Sequence, residues 1–190
     1  MEFETAMRRS TLCDLADVDE SYYKSLVRRD QLPFAGDDED GKGWGRYELI
    51  DAVTLRCTVD LTRQGGIAAG GGRKSHPGDY DHGAGKVVYN ALGQLRAIVP
   101  DLNIQSIADG QEGSDFFLAI EHYRYDDGDS QHCGSTHYAG TLLAIAFASE
   151  QRAAEDRPKH AERFRLDLVN ISRAARFVLS RSEKSKGGAE

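Results

Sequence analysis

Residues 64–85, QGGIAAGGGRKSHPGDYDHGAG, hold eight glycines and one proline. Each interior glycine costs a helix roughly 1 kcal/mol relative to alanine, and proline removes a backbone donor. The stretch therefore reads as a linker or flexible loop. It divides the 190-residue chain into a first region, 1–66, and a second, 86–181. Residues 67–85 form the linker, and the polar tail 182–190, SEKSKGGAE, is expected to be disordered. The length suits one sizeable domain or two small ones.

The composition is that of a soluble, core-forming chain, with 39% apolar and 29% charged residues. No run approaches the ~18 consecutive apolar residues of a membrane-spanning helix. The N-terminal MEFETAMRRSTLC lacks the apolar centre of a signal peptide. The expectation is a cytoplasmic protein with no membrane partner. Cys13, Cys57 and Cys133 are odd in number and share no CxxC spacing, which predicts free thiols. Residues 1–66 carry 14 acidic and 9 basic residues, and the remainder 17 and 15. Neither region has the basic footprint usual in a nucleic-acid binder.

The patterning predicts an α+β chain. A short helix is expected over 11–17, with Thr11 and Asp14 at capping-box spacing. Asp19 is a good N-cap for a second helix over 20–29. Tyr22, Tyr23, Leu26 and Val27 form its expected inward face, and Ser21, Lys24, Ser25 and Arg28 its outer one. Pro33 ends it, and PFAGDDEDGKGWGRYEL suits a small hairpin with an acidic tip. A third helix over 48–63 carries Leu49, Ala52, Val53, Cys57 and Leu61 on one stripe. Beyond the linker, 86–99 reads as a helix. LNIQSIA and DFFLAIEHYRY read as strands. STHYAGTLLAIAFA is ambiguous between strand and helix. LDLVNISRAARFVLSR reads as a final helix, with Leu168, Ile171, Ala175 and Val178 inward and Arg173 and Arg176 solvated.

The succession in the first third resembles the MerR-type winged helix-turn-helix of bacterial regulators and phage excisionase-like proteins. That pattern reads L-A-x-x-x-G-V-S, a recognition helix, G-L-L-P, a wing with G-Y-R-x-Y, and a helix. Here LADVD, DQLP, GWGRY and ELIDAVTL follow in that order. The resemblance covers residues ~11–66; the C-terminal region is not recognised. It implies binding to double-stranded DNA as a homodimer, with no cofactor. It puts Ser21, Lys24, Ser25 and Arg28 at the major groove, Arg29 at the backbone edge, and Lys42, Trp44 and Arg46 on the wing. Tyr47 matches a closing tyrosine that is usually packed. The chain departs from the pattern at Asp17 and Asp30, where the family has glycine, at Gly45 where it has the wing arginine, and in the acidic run 37–40. Cations would supply affinity through counterion release, and helix side chains would read base edges.

The bland reading of Lys24, Arg28 and Arg29 is the solvated face of an amphipathic helix. GGGRKS lacks the glycine before Lys74 that a phosphate-binding loop requires, and no strand precedes it. HYRYDDGDSQHCGSTHY holds His122, His132, Cys133 and His137, but at no familiar zinc spacing, so an ordinary polar hairpin is expected and no metal. Glu121 with His122 is a weak acid–base pair, because neighbours on a strand point to opposite faces. The glycines also break the long dimerisation helix of metal-sensing relatives. The expected function is sequence-specific transcription regulation without catalysis, by an N-terminal winged helix-turn-helix and a small α+β C-terminal domain. That second domain would mediate dimerisation or sense a small-molecule or protein effector. The alternatives are an acidic interaction module that has lost DNA affinity, and a ligand sensor or enzyme in the C-terminal half.

Overall fold

The computed structural model describes residues 7–28, 32–34, 47–63, 83–99, 101–126, 131–155 and 161–187, the side chains of 152–155 and 186–187 excepted. Among these, the chain is α+β, with seven helices and one three-stranded antiparallel sheet. No described helix is long and apolar enough to cross a membrane.

Helix α1, Arg9–Ala16, starts earlier than the expected 11–17. Arg8 is its N-cap residue and makes no side-chain cap bond, so the Thr11/Asp14 spacing does not start the helix. Its start is fixed from outside. Met7 and Tyr47 exchange backbone hydrogen bonds of 2.8 and 3.2 Å, and the Leu12 amide reaches back to the Arg8 carbonyl at 2.9 Å. Asp17 ends the helix in the left-handed region, at φ 57° and ψ 52°. The Asp17 and Val18 amides donate to the Asp14 and Cys13 carbonyls, satisfying acceptors that the last turn leaves open. Asp19 follows, and α2 runs Glu20–Arg28. Tyr23 and Leu26 are buried and Tyr22 is half-buried, but Val27 is 45% exposed. The inward stripe is thus rotated toward Tyr22, away from the position expected for Val27.

Helix α3, Leu49–Arg63, matches expectation in extent but not in burial. Ala52, Val53, Cys57 and Leu61 are buried as the stripe predicts, and so are Leu55, Val59, Thr54 and Thr58. The reason is that helices from both sides of the glycine-rich stretch pack on it. Thr54 and Thr58 donate to the Ile50 and Thr54 carbonyls at 2.7 and 2.8 Å, which keeps both hydroxyls satisfied in the interior. Helix α4, Ala84–Ile98, begins inside the expected linker. The core is continuous from Leu12 and Leu26 through Leu55, Val88 and Leu95 to Ile171 and Val178.

Most of the segment LNIQSIA, expected as a strand, lies in helix α5, Ile104–Asp109. Asn103 accepts from the Ser106 amide and Ser106 accepts from the Asn103 amide, both at 2.9 Å. This reciprocal cap outweighs the β preference of the isoleucines. Strands β1, Phe117–Asp126, and β2, Gln131–Gly140, form the expected hairpin, with 127–130 outside the described residues. The ambiguous apolar segment divides at Thr141: β2 ends at Gly140, and α6 runs Leu142–Glu155.

The expected final helix also divides. Residues 166–170 belong to β3, Glu162–Asn170, which pairs with β1 to give the order β2-β1-β3. Asn170 accepts from the Arg173 amide at 2.7 Å as a cap, and the Ile171 amide bonds the Phe116 carbonyl at 2.9 Å. Helix α7 therefore begins at Ile171 and runs to Gly187, through most of the segment expected to be a disordered tail. Leu168 is a strand residue and not part of the helical stripe. Arg176, expected as merely solvated, grips Asp115 with two bonds of 2.7 and 2.8 Å and the Ala108 carbonyl with another of 2.7 Å.

The sheet separates two environments. Leu118, Ile120 and Val169 join the main core with α4, α5 and α7. On the opposite face, Ala119 and Tyr138 pack with Ile145 of α6. Glu121, 1% exposed, lies on that face, where Arg163 pairs with it and the Ser149 and Tyr138 hydroxyls donate to it. His122 lies on the other, with Nε2 2.9 Å from Asp167 Oδ2. The strand alternation separates the two as the sequence predicts.

Candidate nucleic-acid interface

The outer face of α2 is set by what holds its inner face. The Tyr23 and Tyr47 hydroxyls lie 2.8 Å apart in the interior, their rings edge to face with centroids 6.3 Å apart. Phe34 packs on Tyr47 from another side, with centroids 5.8 Å apart. Tyr47 is 4% exposed. Burial, and then the hydrogen bond to Tyr47, push the Tyr23 phenol well above its ordinary range. Three separated segments thus converge on one aromatic cluster, and that cluster fixes the rotation of α2.

With Tyr23 and Leu26 inward, Ser21, Lys24 and Arg28 are exposed and Ser25 is half-buried. The spacing of 21, 24, 25 and 28 places these four on one side of the helix. Lys24 Nζ lies 3.4 Å from Glu20 Oε2, with both side chains about half exposed. A pair of this kind contributes ~0.5 kcal/mol or less and is readily exchanged for another anion. Arg29, Lys42, Trp44 and Arg46 lie outside the described residues. The structure therefore brings together the helix half of the expected constellation. The Met7–Tyr47 bridge borders the segment expected as a wing, whose residues 35–46 lie outside the described residues.

The tight joint between α1 and α2 is held by contacts that the sequence does not announce. Asp17 takes the left-handed conformation that glycine adopts most readily, and that aspartate tolerates better than most residues. Its carboxylate is held by two arginines from elements distant in sequence: Arg56 Nη1 of α3 at 3.3 Å and Arg181 Nη1 of α7 at 3.4 Å. Arg56 Nη1 also reaches the Ala16 carbonyl at 3.5 Å, and Arg56 Nε pairs with Asp60 at 3.2 Å. Both guanidinium groups lie over the Phe177 ring, at 4.6 Å for Arg56 and 5.5 Å for Arg181. Asp17, where the resembled pattern has glycine, was the available signal. Its partners lie 39 and 164 residues away, and no local pattern reveals them.

Neither buried cysteine of this region is an activated thiol. Burial, then the nearby Glu20 carboxylate, raise the Cys13 thiol to about 11. Burial likewise pushes the Cys57 thiol far up. Both behave as small apolar residues. Among the described residues, no three histidine, cysteine, aspartate or glutamate side chains cluster closely enough to hold a metal ion. Comparison of the chain with protein-family models, curated proteins and solved structures finds no match.

Proposed function

We infer that the chain is a sequence-specific regulator of transcription, bacterial or phage in type, that binds double-stranded DNA as a homodimer. In this reading α1 and α2 are a helix-turn-helix, α2 is the recognition helix, and the Met7–Tyr47 bridge closes a wing. The observation that carries it is the joint between the helices. Three residues, Asp17 in the left-handed region followed by Val18 and Asp19, link α1 to a helix that buries Tyr23 and Leu26 and exposes Ser21, Lys24 and Arg28. Such a helix offers two cations to phosphates and polar groups to base edges. Two cations per protomer are few, and dimerisation doubles them.

The test is a mobility shift on fragments of the source genome at low salt. Binding is expected, with the logarithm of affinity falling linearly with the logarithm of salt. Lys24→Ala combined with Arg28→Ala should weaken binding at least tenfold and lower the salt slope by about two per protomer. No shift at low salt, or a shift indifferent to both substitutions, overturns the reading. The second reading is an acidic interaction module. Asp14, Asp17 and Asp19 are exposed around the joint, and Glu20 already pairs with Lys24. It predicts no DNA binding at any salt and capture of a basic partner.

A further inference from the structure

A cleft of about 500 Å³ opens where α3, the end of β3 and the start of α7 meet. Its volume falls within the range of small-molecule sites, roughly 300–1,000 Å³. Phe117, Leu168 and Phe177 supply apolar wall, and Arg56, Asp60 and Arg173 supply charge. These charges are not equivalent. Asp60 is paired with Arg56, and Arg56 is further engaged by Asp17 and the Ala16 carbonyl. The Arg173 guanidinium is exposed and makes no hydrogen bond or ion pair among the described residues. Among the described residues, the cleft therefore presents aromatic and aliphatic wall beside one cation, Arg173, whose guanidinium makes no ion pair.

We propose that this cleft binds a single-ring aromatic carboxylate, and that its occupancy is transmitted to the α1–α2 joint through Phe177 and Arg56. The ligand ring lies against Phe177, Phe117 and Leu168, and its carboxylate takes the fork of Arg173 in two parallel bonds. The route to the joint is short. Phe177 forms cleft wall on one side and carries the two guanidinium groups that hold the Asp17 carboxylate on the other. A ring that shifts Phe177 shifts both cations, and with them the residue that sets the angle between α1 and α2. This second half rests on the reading of α2 as a DNA-recognition helix; the binding half does not.

The experiment is an amide-resolved NMR titration of the full chain with benzoate and phenylacetate. Phenylacetamide serves as the uncharged control and inorganic phosphate as the ringless one. Saturable shifts at Ala174 and Phe177 with a Kd below about 1 mM are expected for a carboxylate. The controls should not bind, and Arg173→Gln should weaken the carboxylate at least tenfold. Absence of saturable shifts with both carboxylates overturns the site, as does equal binding of the amide or indifference to Arg173→Gln. Movement of the Asp17 and Val18 amides in the same titration supports the coupling. Binding with those amides unmoved overturns the coupling and leaves the site. Where DNA binding is also found, linkage requires the ligand and DNA to change each other's affinity by the same factor. Where it is not, the titration still decides the site.

Discussion

The Tyr23 and Tyr47 hydroxyls meet at 2.8 Å in the interior, 24 positions apart in sequence. Each is the partner that allows the other to be buried. Replacing one by phenylalanine strands the remaining hydroxyl, at a cost of about 1–3 kcal/mol. Replacing both removes the polar pair while keeping the edge-to-face rings. Tyr23→Phe and Tyr47→Phe should therefore each lower the urea midpoint, and the double variant should lose less than their sum, with a coupling of roughly 0.5–2 kcal/mol. Strict additivity in the double-mutant cycle would show that the bond contributes nothing. Because the Tyr23 phenol is raised, its contribution is complete below its ordinary value of 10.0 and is lost only as pH rises through the higher folded-state value.

Asp115 gives a second prediction, at the acid end. The Arg176 guanidinium, then the Asn170 side-chain amide, hold its carboxyl at about 2 against an ordinary 3.8. A group depressed in the folded state stabilises it above the unfolded value and loses that contribution as pH falls through the folded one. The loss thus falls between pH 3.8 and about 2. Arg176 is 48% exposed, so solvent screening keeps the electrostatic part to about 1 kcal/mol or less. Arg176→Met should flatten the pH dependence of thermal stability in this window relative to the unmodified chain. It should also lower stability at neutral pH, because the Ala108 carbonyl loses its donor. An unchanged acid limb would show that another carboxylate governs it.

How far the sequence reveals the fold depends on whether the governing interaction is local. The β1–β2 hairpin and α3 are readable because periodicity and turn chemistry both lie within the segment. The Asn103–Ser106 cap is local too, but two isoleucines in a short apolar run give the same signal for a strand and for a buried turn of helix. The division at Asn170 needs the Phe116 carbonyl, 55 residues upstream, to receive the Ile171 amide. At the candidate interface, the exposure of Ser21, Lys24 and Arg28 follows from helical spacing alone. The clamp of Arg56 and Arg181 on Asp17 does not, because it is made by side chains from three helices that only packing brings together.

The last prediction concerns self-association. Helix α6 buries Ile145 and Ser149 against the sheet and turns Leu143 and Phe147, 82% and 70% exposed, away from it. These two are one turn apart on the helix, with Leu142 also 50% exposed. Nearby on the sheet face that α6 covers in part, Leu166 remains 46% exposed. Together they form an exposed apolar patch of the kind that homodimer interfaces bury. A homodimer would use this surface by pairing the same apolar patch with itself across a two-fold axis. Sedimentation equilibrium should give a dimer, and Leu143→Lys with Phe147→Lys should give a monomer of unchanged circular dichroism. If dimeric DNA binding is what doubles the cations of α2, the same double variant should also weaken the mobility shift while leaving Lys24 and Arg28 intact. A variant that stays dimeric would place the association surface elsewhere, and a chain that is monomeric before substitution would overturn the homodimer.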